Sequence, residues 1–68
     1  DRMGMINDIT KVTSEVMGVN IRRFNIGTED GIFEGFIDLY VNDMDNLENL
    51  IKKLQRIKGL EKVSRKEL

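Results

Sequence analysis

The sequence contains no cysteine and no histidine. Without cysteine there is no disulfide staple and no thiolate zinc site, and without histidine the commonest general base and metal ligand are both gone. Most catalytic chemistries are disfavoured on that ground alone. Ser14 and Ser64 have no histidine to activate them. Gly27-Thr28-Glu29-Asp30-Gly31 lacks the following lysine that a Walker-type phosphate loop requires. Asp43 and Asp45 superficially suggest a calcium loop, but its glycine and bidentate glutamate are not at the required places, so both are read as the start of a helix. The expectation is a segment with no catalytic residue, no metal and no cofactor.

Long apolar runs are missing too. No stretch approaches the ~20 residues needed to span a bilayer, so no membrane partner is expected. The opening Asp1-Arg2-Met3-Gly4 lacks the basic-then-apolar form of a secretory signal. The chain reads as a cytoplasmic domain cut from a longer protein, with a function that belongs to a larger whole.

What is present is an ordinary globular balance, 40% apolar and 34% charged residues. At 68 residues the chain is one small domain. Such a chain buries only roughly 60% of its unfolded surface and is marginally stable. The formal net charge of −1 conceals an asymmetry. Residues 1–51 carry four basic and ten acidic side chains, a local net of −6, whereas 52–68 carry seven basic and two acidic, a net of +5. The C-terminal quarter is a basic end suited to something anionic.

From Met5 to Met17, Met5, Ile6, Ile9, Val12, Val16 and Met17 recur at spacings of three and four, the stripe of an amphipathic helix. Gly18 closes it, and an extended stretch runs from Val19 to about Thr28. Asp30-Gly31 between two β-prone runs predicts a hairpin. Ile32 to Asn42 alternates, with Phe33, Gly35, Ile37, Leu39 and Val41 toward the core and Glu34, Phe36, Asp38 and Tyr40 outward. A two-residue turn then sets Thr28 opposite Phe33, Ile26 opposite Gly35 and Phe24 opposite Ile37. The same register sets Arg23 against Asp38 as a cross-strand ion pair, Asn25 against Phe36 and Ile21 against Tyr40.

Asp45-Asn46-Leu47-Glu48 predicts the capped start of a second helix, with Leu47, Leu50, Ile51, Leu54 and Ile57 as its stripe and Gly59 as its stop. Leu60 to Lys66 is expected to be a last, charged edge strand. The order is α, β, β, α, β, without repeats or linkers.

Asp1-Arg2-Met3-Gly4-Met5-Ile6 before a helix, Gly18-Val19-Asn20-Ile21 after it, Asp30-Gly31, and the run from Leu50-Ile51 through Leu54, Ile57 and Gly59-Leu60 to Val63 resemble the ACT domain across essentially the whole chain. More narrowly, Asn20-Ile21-Arg22 and the hairpin passing into Leu47, Leu50-Ile51 and Lys53-Leu54 resemble the C-terminal ACT domain of the RelA/SpoT family, enzymes of the alarmone (p)ppGpp. The resemblance implies an α+β fold, a ferredoxin-like βαββαβ sandwich of strand order 4-1-3-2. The first strand is missing here, so αββαβ is expected over a single domain, 1–68, truncated at its N-terminal strand. That strand would lie upstream of Asp1 or come from a neighbour.

The resemblance also implies a function: a non-catalytic regulatory domain of a GTP pyrophosphokinase, controlling (p)ppGpp synthesis or hydrolysis in the stringent response through ribosome or amino-acid sensing. Two alternatives stand beside it, an amino-acid-binding allosteric domain of a biosynthetic enzyme and a structural dimerisation module. In amino-acid-binding ACT domains the contacts come from the strand-to-helix turn and the second strand, often across a dimer interface, which implies Asp1, Gly4, Met5 and Asn20 here. The competing reading is turn geometry, since glycine permits a tight turn and asparagine tolerates one. Lys52, Arg56, Lys62, Arg65 and Lys66 are candidates for contact with ribosomal RNA. Lys53, Arg56 and Lys58 are also explained by the dipole at a helix end. Phe36 and Tyr40 are expected to pack on another domain or a second copy rather than on bases, because Glu34 and Asp38 beside them repel phosphate. The expected partners are therefore other domains of the parent chain, the ribosome, a small amino acid and a second copy.

Overall fold

The computed structural model describes residues 1–66, in the order α1 (Arg2–Glu15), β1 (Val19–Glu29), β2 (Ile32–Val41) and α2 (Met44–Gln55). Helix α1 begins earlier than its apolar stripe because Asp1 caps it: a carboxylate oxygen accepts the Gly4 N–H at 2.6 Å. A capping carboxylate satisfies one of the orphan amides of a helix start. Asp1-Arg2-Met3-Gly4 is thus the helix's first turn, not a loop ahead of it. Helix α1 stops at Glu15, and Gly18 takes φ 74, its carbonyl accepting the Asn42 N–H at 2.9 Å. Met17, counted in the stripe from sequence, lies past the helix end and is 84% exposed.

The turn between the strands has the expected geometry. Asp30 and Gly31 have φ of 52° and 78°, the double left-handed pair that matches strand twist in a two-residue hairpin. Thr28, Ile26 and Phe24 face Phe33, Gly35 and Ile37 as expected, and Arg23 and Asn25 face Asp38 and Phe36. Gly35 is required there, because a Cβ would fall 2.8 Å from the Ile26 side chain and 3.0 Å from the Asn25 carbonyl oxygen. Two details differ from expectation. A bulge between Ile21 and Arg23 shifts the register by one, so Tyr40 faces Asn20 and Ile21 faces Leu39. One extra residue on a strand has this effect. Arg23 and Asp38 face each other without closing an ion pair among the described residues, as exposed charges in high dielectric often do.

Helix α2 is capped by Asp43 rather than Asp45: Asp43 has extended backbone, φ −152 and ψ 162, and its carboxylate accepts the Asn46 N–H at 3.0 Å. Asp45 falls in the first turn, where its charge still complements the helix dipole. Gly59 takes φ 92 beyond the helix end.

Both helices lie on one face of the hairpin. Ile9 and Val16 from α1 meet Leu50 and Leu54 from α2, with Ile57 just past it, as the buried core. Phe24, Ile26, Ile37 and Leu39 close over them from the sheet, so Leu39 is half-buried rather than fully buried. Thr13 is also fully buried, its hydroxyl donating to the Ile9 carbonyl at 2.7 Å. That satisfies a polar group which would otherwise be penalised in the core.

The expected last strand does not form. Residues 60–66 pair with no strand, and the described sheet has two strands, β1 and β2. In the ferredoxin-like order a central strand would join this segment to β2; without it the backbone has no ladder partner. Leu60 and Val63 nonetheless pack against the core. The observed order is αββα followed by an irregular basic segment, a partial ferredoxin-like α+β arrangement.

Candidate functional site

Three surfaces carry the residues singled out from sequence. The first is the start of α1. Asp1, Gly4 and Met5 share its first turn, with the Asp1 carboxylate engaged by the Gly4 N–H. Arg2 fastens this turn to the hairpin: its guanidinium donates to the Ile26 carbonyl at 3.2 Å and lies 5.6 Å from the centre of the Phe33 ring. Asn20 sits elsewhere, exposed at the opposite end of β1. Six residues of strand at roughly 3.3 Å each separate it from Ile26, beside which α1 begins. One copy therefore does not gather Asp1, Gly4, Met5 and Asn20 into one pocket.

The second surface is a groove of about 1530 Å³ along the edge of β2 that β1 does not cover. One wall is the β2 edge from Ile32 to Leu39, and the other is the segment 59–66. Its floor is apolar, formed by Met5 and Ile9 of α1 and by Leu50 and Leu54 of α2. Lys62, Arg65 and Lys66 stand along it, whereas Lys52 and Arg56 are exposed and line neither wall. The five basic candidates are thus split between the groove and the region of α2.

The third surface is the outer face of the hairpin. Phe36 and Tyr40 are exposed there. Lys66 reaches across to place its ammonium 5.7 Å from the centre of the Phe36 ring, a cation–π contact. Sequence reasoning missed Arg2, the Lys66–Phe36 contact and Ile32, which shares the face. Ile32 was legible, since it has the same parity on β2 as Phe36 and Tyr40. Contacts of long side chains such as Arg2 and Lys66 leave no periodic trace.

Among the described residues there is no group of three or more metal-ligating side chains, and no helix is long and apolar enough to cross a membrane. A helix pair on one face of an antiparallel hairpin, with a vacant slot beside β2, defines a small ferredoxin-like module. The family model described as "ACT domain" matches residues 1–65, and the chain belongs to that family of small regulatory ligand-binding domains. No curated protein and no solved structure matches the chain.

Proposed function

We propose that this ACT domain is the C-terminal regulatory domain of a RelA/SpoT-type GTP pyrophosphokinase, itself non-catalytic, cytoplasmic, and coupled to synthetase or hydrolase domains elsewhere in the parent chain. The observation that carries the reading is the motif likeness over Asn20-Ile21-Arg22 and the passage into Leu47, Leu50-Ile51 and Lys53-Leu54. The concentration of basic residues in 52–66 supports it, since a cationic end is what contact with ribosomal RNA requires. The test is ribosome co-sedimentation of the parent protein. Arg56→Ala with Lys62→Ala should weaken association at low salt and flatten its salt dependence, because each lost phosphate contact lowers the slope by about one. Unchanged binding at low salt refutes the RNA-contact role.

A second reading, an amino-acid receptor of a biosynthetic enzyme, is supported by the start of α1. Free amides at a helix start attract a carboxylate, and Met5 there borders the apolar groove. Because Asn20 lies far from Met5 within one copy, this reading needs a second copy to bring the two sets together. Branched-chain amino acids titrated into the labelled chain should then shift the amide resonances of Gly4, Met5 and Asn20. Spectra unchanged at millimolar ligand would leave capping as the whole role of Asp1 and Gly4.

A further inference from the structure

Lys66 leaves its own segment to set its ammonium 5.7 Å from the centre of the Phe36 ring, on the hairpin face that neither helix covers. The ring quadrupole attracts a cation so placed. Carboxylates stand on either side of that ring. Alternate residues of a strand share a face, so Glu34 and Asp38 flank Phe36, and Tyr40 follows Asp38. From β1, Glu29, Asn25 and Arg23 lie on the same face, opposite Ile32, Phe36 and Asp38. Before Lys66 is counted, the face carries three carboxylates, Glu29, Glu34 and Asp38, against the one guanidinium of Arg23.

Among the described residues, Glu34 and Asp38 have no ion-pair or hydrogen-bond partner, so both can receive an outside cation. Phe36 and Tyr40 are 63% and 61% exposed. Arg23, Asn25, Phe36, Asp38 and Lys66 border a shallow concavity of about 450 Å³ at the occupied ring. A single exposed ring or carboxylate is ordinary, but an exposed apolar row rimmed by charge marks an interaction surface. The excess of carboxylates fixes the sign of what this one takes, and the seated ammonium of Lys66 is an example of it.

We infer that the outer hairpin face receives an arginine-bearing basic segment of another protein, with Lys66 as the chain's own occupant that such a segment displaces. Arginine suits the face better than lysine. Its planar guanidinium stacks on an aromatic ring while its N–H fork donates to a carboxylate alongside, and it is the more weakly hydrated cation. Phe36 takes the guanidinium plane, and Asp38 and Glu34 accept from its N–H groups. Tyr40 lies four residues further on, roughly 13 Å along the strand, which is also the span of four residues of an extended partner. Arginines four apart therefore reach both rings. A nucleic acid fits worse, because its phosphates would meet Arg23 and Lys66 only beside Glu34 and Asp38. This docking is independent of which parent enzyme carries the domain, and it uses neither Arg56 nor Lys62, on which the ribosome reading is tested.

The probe is the peptide acetyl-Arg-Gly-Ser-Gly-Arg-amide, titrated into the isotope-labelled chain. Amide resonances from Glu34 to Tyr40 should shift at millimolar peptide, and the same peptide with citrulline in place of both arginines should leave them unmoved. Phe36→Leu keeps the apolar bulk and loses the ring, so it should weaken binding by about threefold. Asp38→Asn should weaken it by about two- to fivefold. Lys66→Gln should instead tighten it by about twofold or more, because it empties the ring and removes a like charge. Damage to the fold weakens binding in every variant, so the opposite sign for Lys66→Gln separates docking from damage. A wild-type spectrum unmoved by millimolar peptide overturns the inference. So does binding indifferent to Phe36→Leu, which would be charge attraction without the ring, and so does binding that Lys66→Gln weakens. Single-stranded polyuridylate that shifts these amides where the peptide does not would make this a nucleic-acid surface and overturn it as well.

Discussion

Leu50→Ala tests the core directly, because Leu50 is 1% exposed and sits where α1, α2 and β2 converge. Removing three carbons forfeits about 2.4 kcal/mol of transfer free energy at ~0.8 kcal/mol per methylene. A sealed cavity would add about 24 cal/mol per Å³ of residual void and carry the total toward the ~5 kcal/mol end of the known range. Here the void is not sealed, since Leu50 also forms part of the groove floor and water can enter from that side. The expected loss is therefore about 2.5–3 kcal/mol, near the bottom of the range. Against a total stability of roughly 3–10 kcal/mol for a chain of this size, that is a large share. Urea unfolding followed by circular dichroism reads it: with a slope of about 1 kcal/mol per molar, the midpoint should fall by about 2.5–3 M. A parent too near the threshold will give a variant unfolded in water. A midpoint within about 0.5 M of the parent would remove Leu50 from the core and refute the packing argument.

Three further substitutions separate backbone from packing effects. Gly35→Ala should destabilise by about 1–3 kcal/mol, since the added methyl presses on the Asn25 backbone as well as on Ile26, and an unmoved midpoint would mean that the strands are not so closely registered. Gly31→Ala meets open space yet holds φ 78, so its loss should be about 1–2 kcal/mol from conformation alone, whereas Gly27→Ala, equally open and with ordinary φ, should gain about 0.5–1 kcal/mol. The two compared by thermal melting must differ in sign. Asp43→Ala should cost about 0.5–2 kcal/mol and Asp45→Ala less, which denaturant titration of the pair will check.

How much was legible in the sequence follows from the range of each interaction. The two helices, the Asp30-Gly31 turn and the facing of Phe24 to Ile37 and Ile26 to Gly35 all rest on local periodicity and on backbone preferences within a few residues. The family was legible for the same reason, because its motifs are glycines and apolar spacings that local structure demands. Tertiary structure decided the rest. The bulge at Arg22 depends on how the far end of the hairpin meets the core, which alternation along one strand does not encode. Which of two nearby aspartates caps α2 was settled by where the chain leaves β2 in extended geometry. Residues 60–66 carry a strand-like pattern but form no strand, because a ladder needs a neighbour and β2 offers its free edge across a groove too wide to pair directly. The separation of Asn20 from Met5, and the meeting of Lys66 with Phe36, belong to the same class: both are set by distances across the fold, and distance along the chain does not determine them.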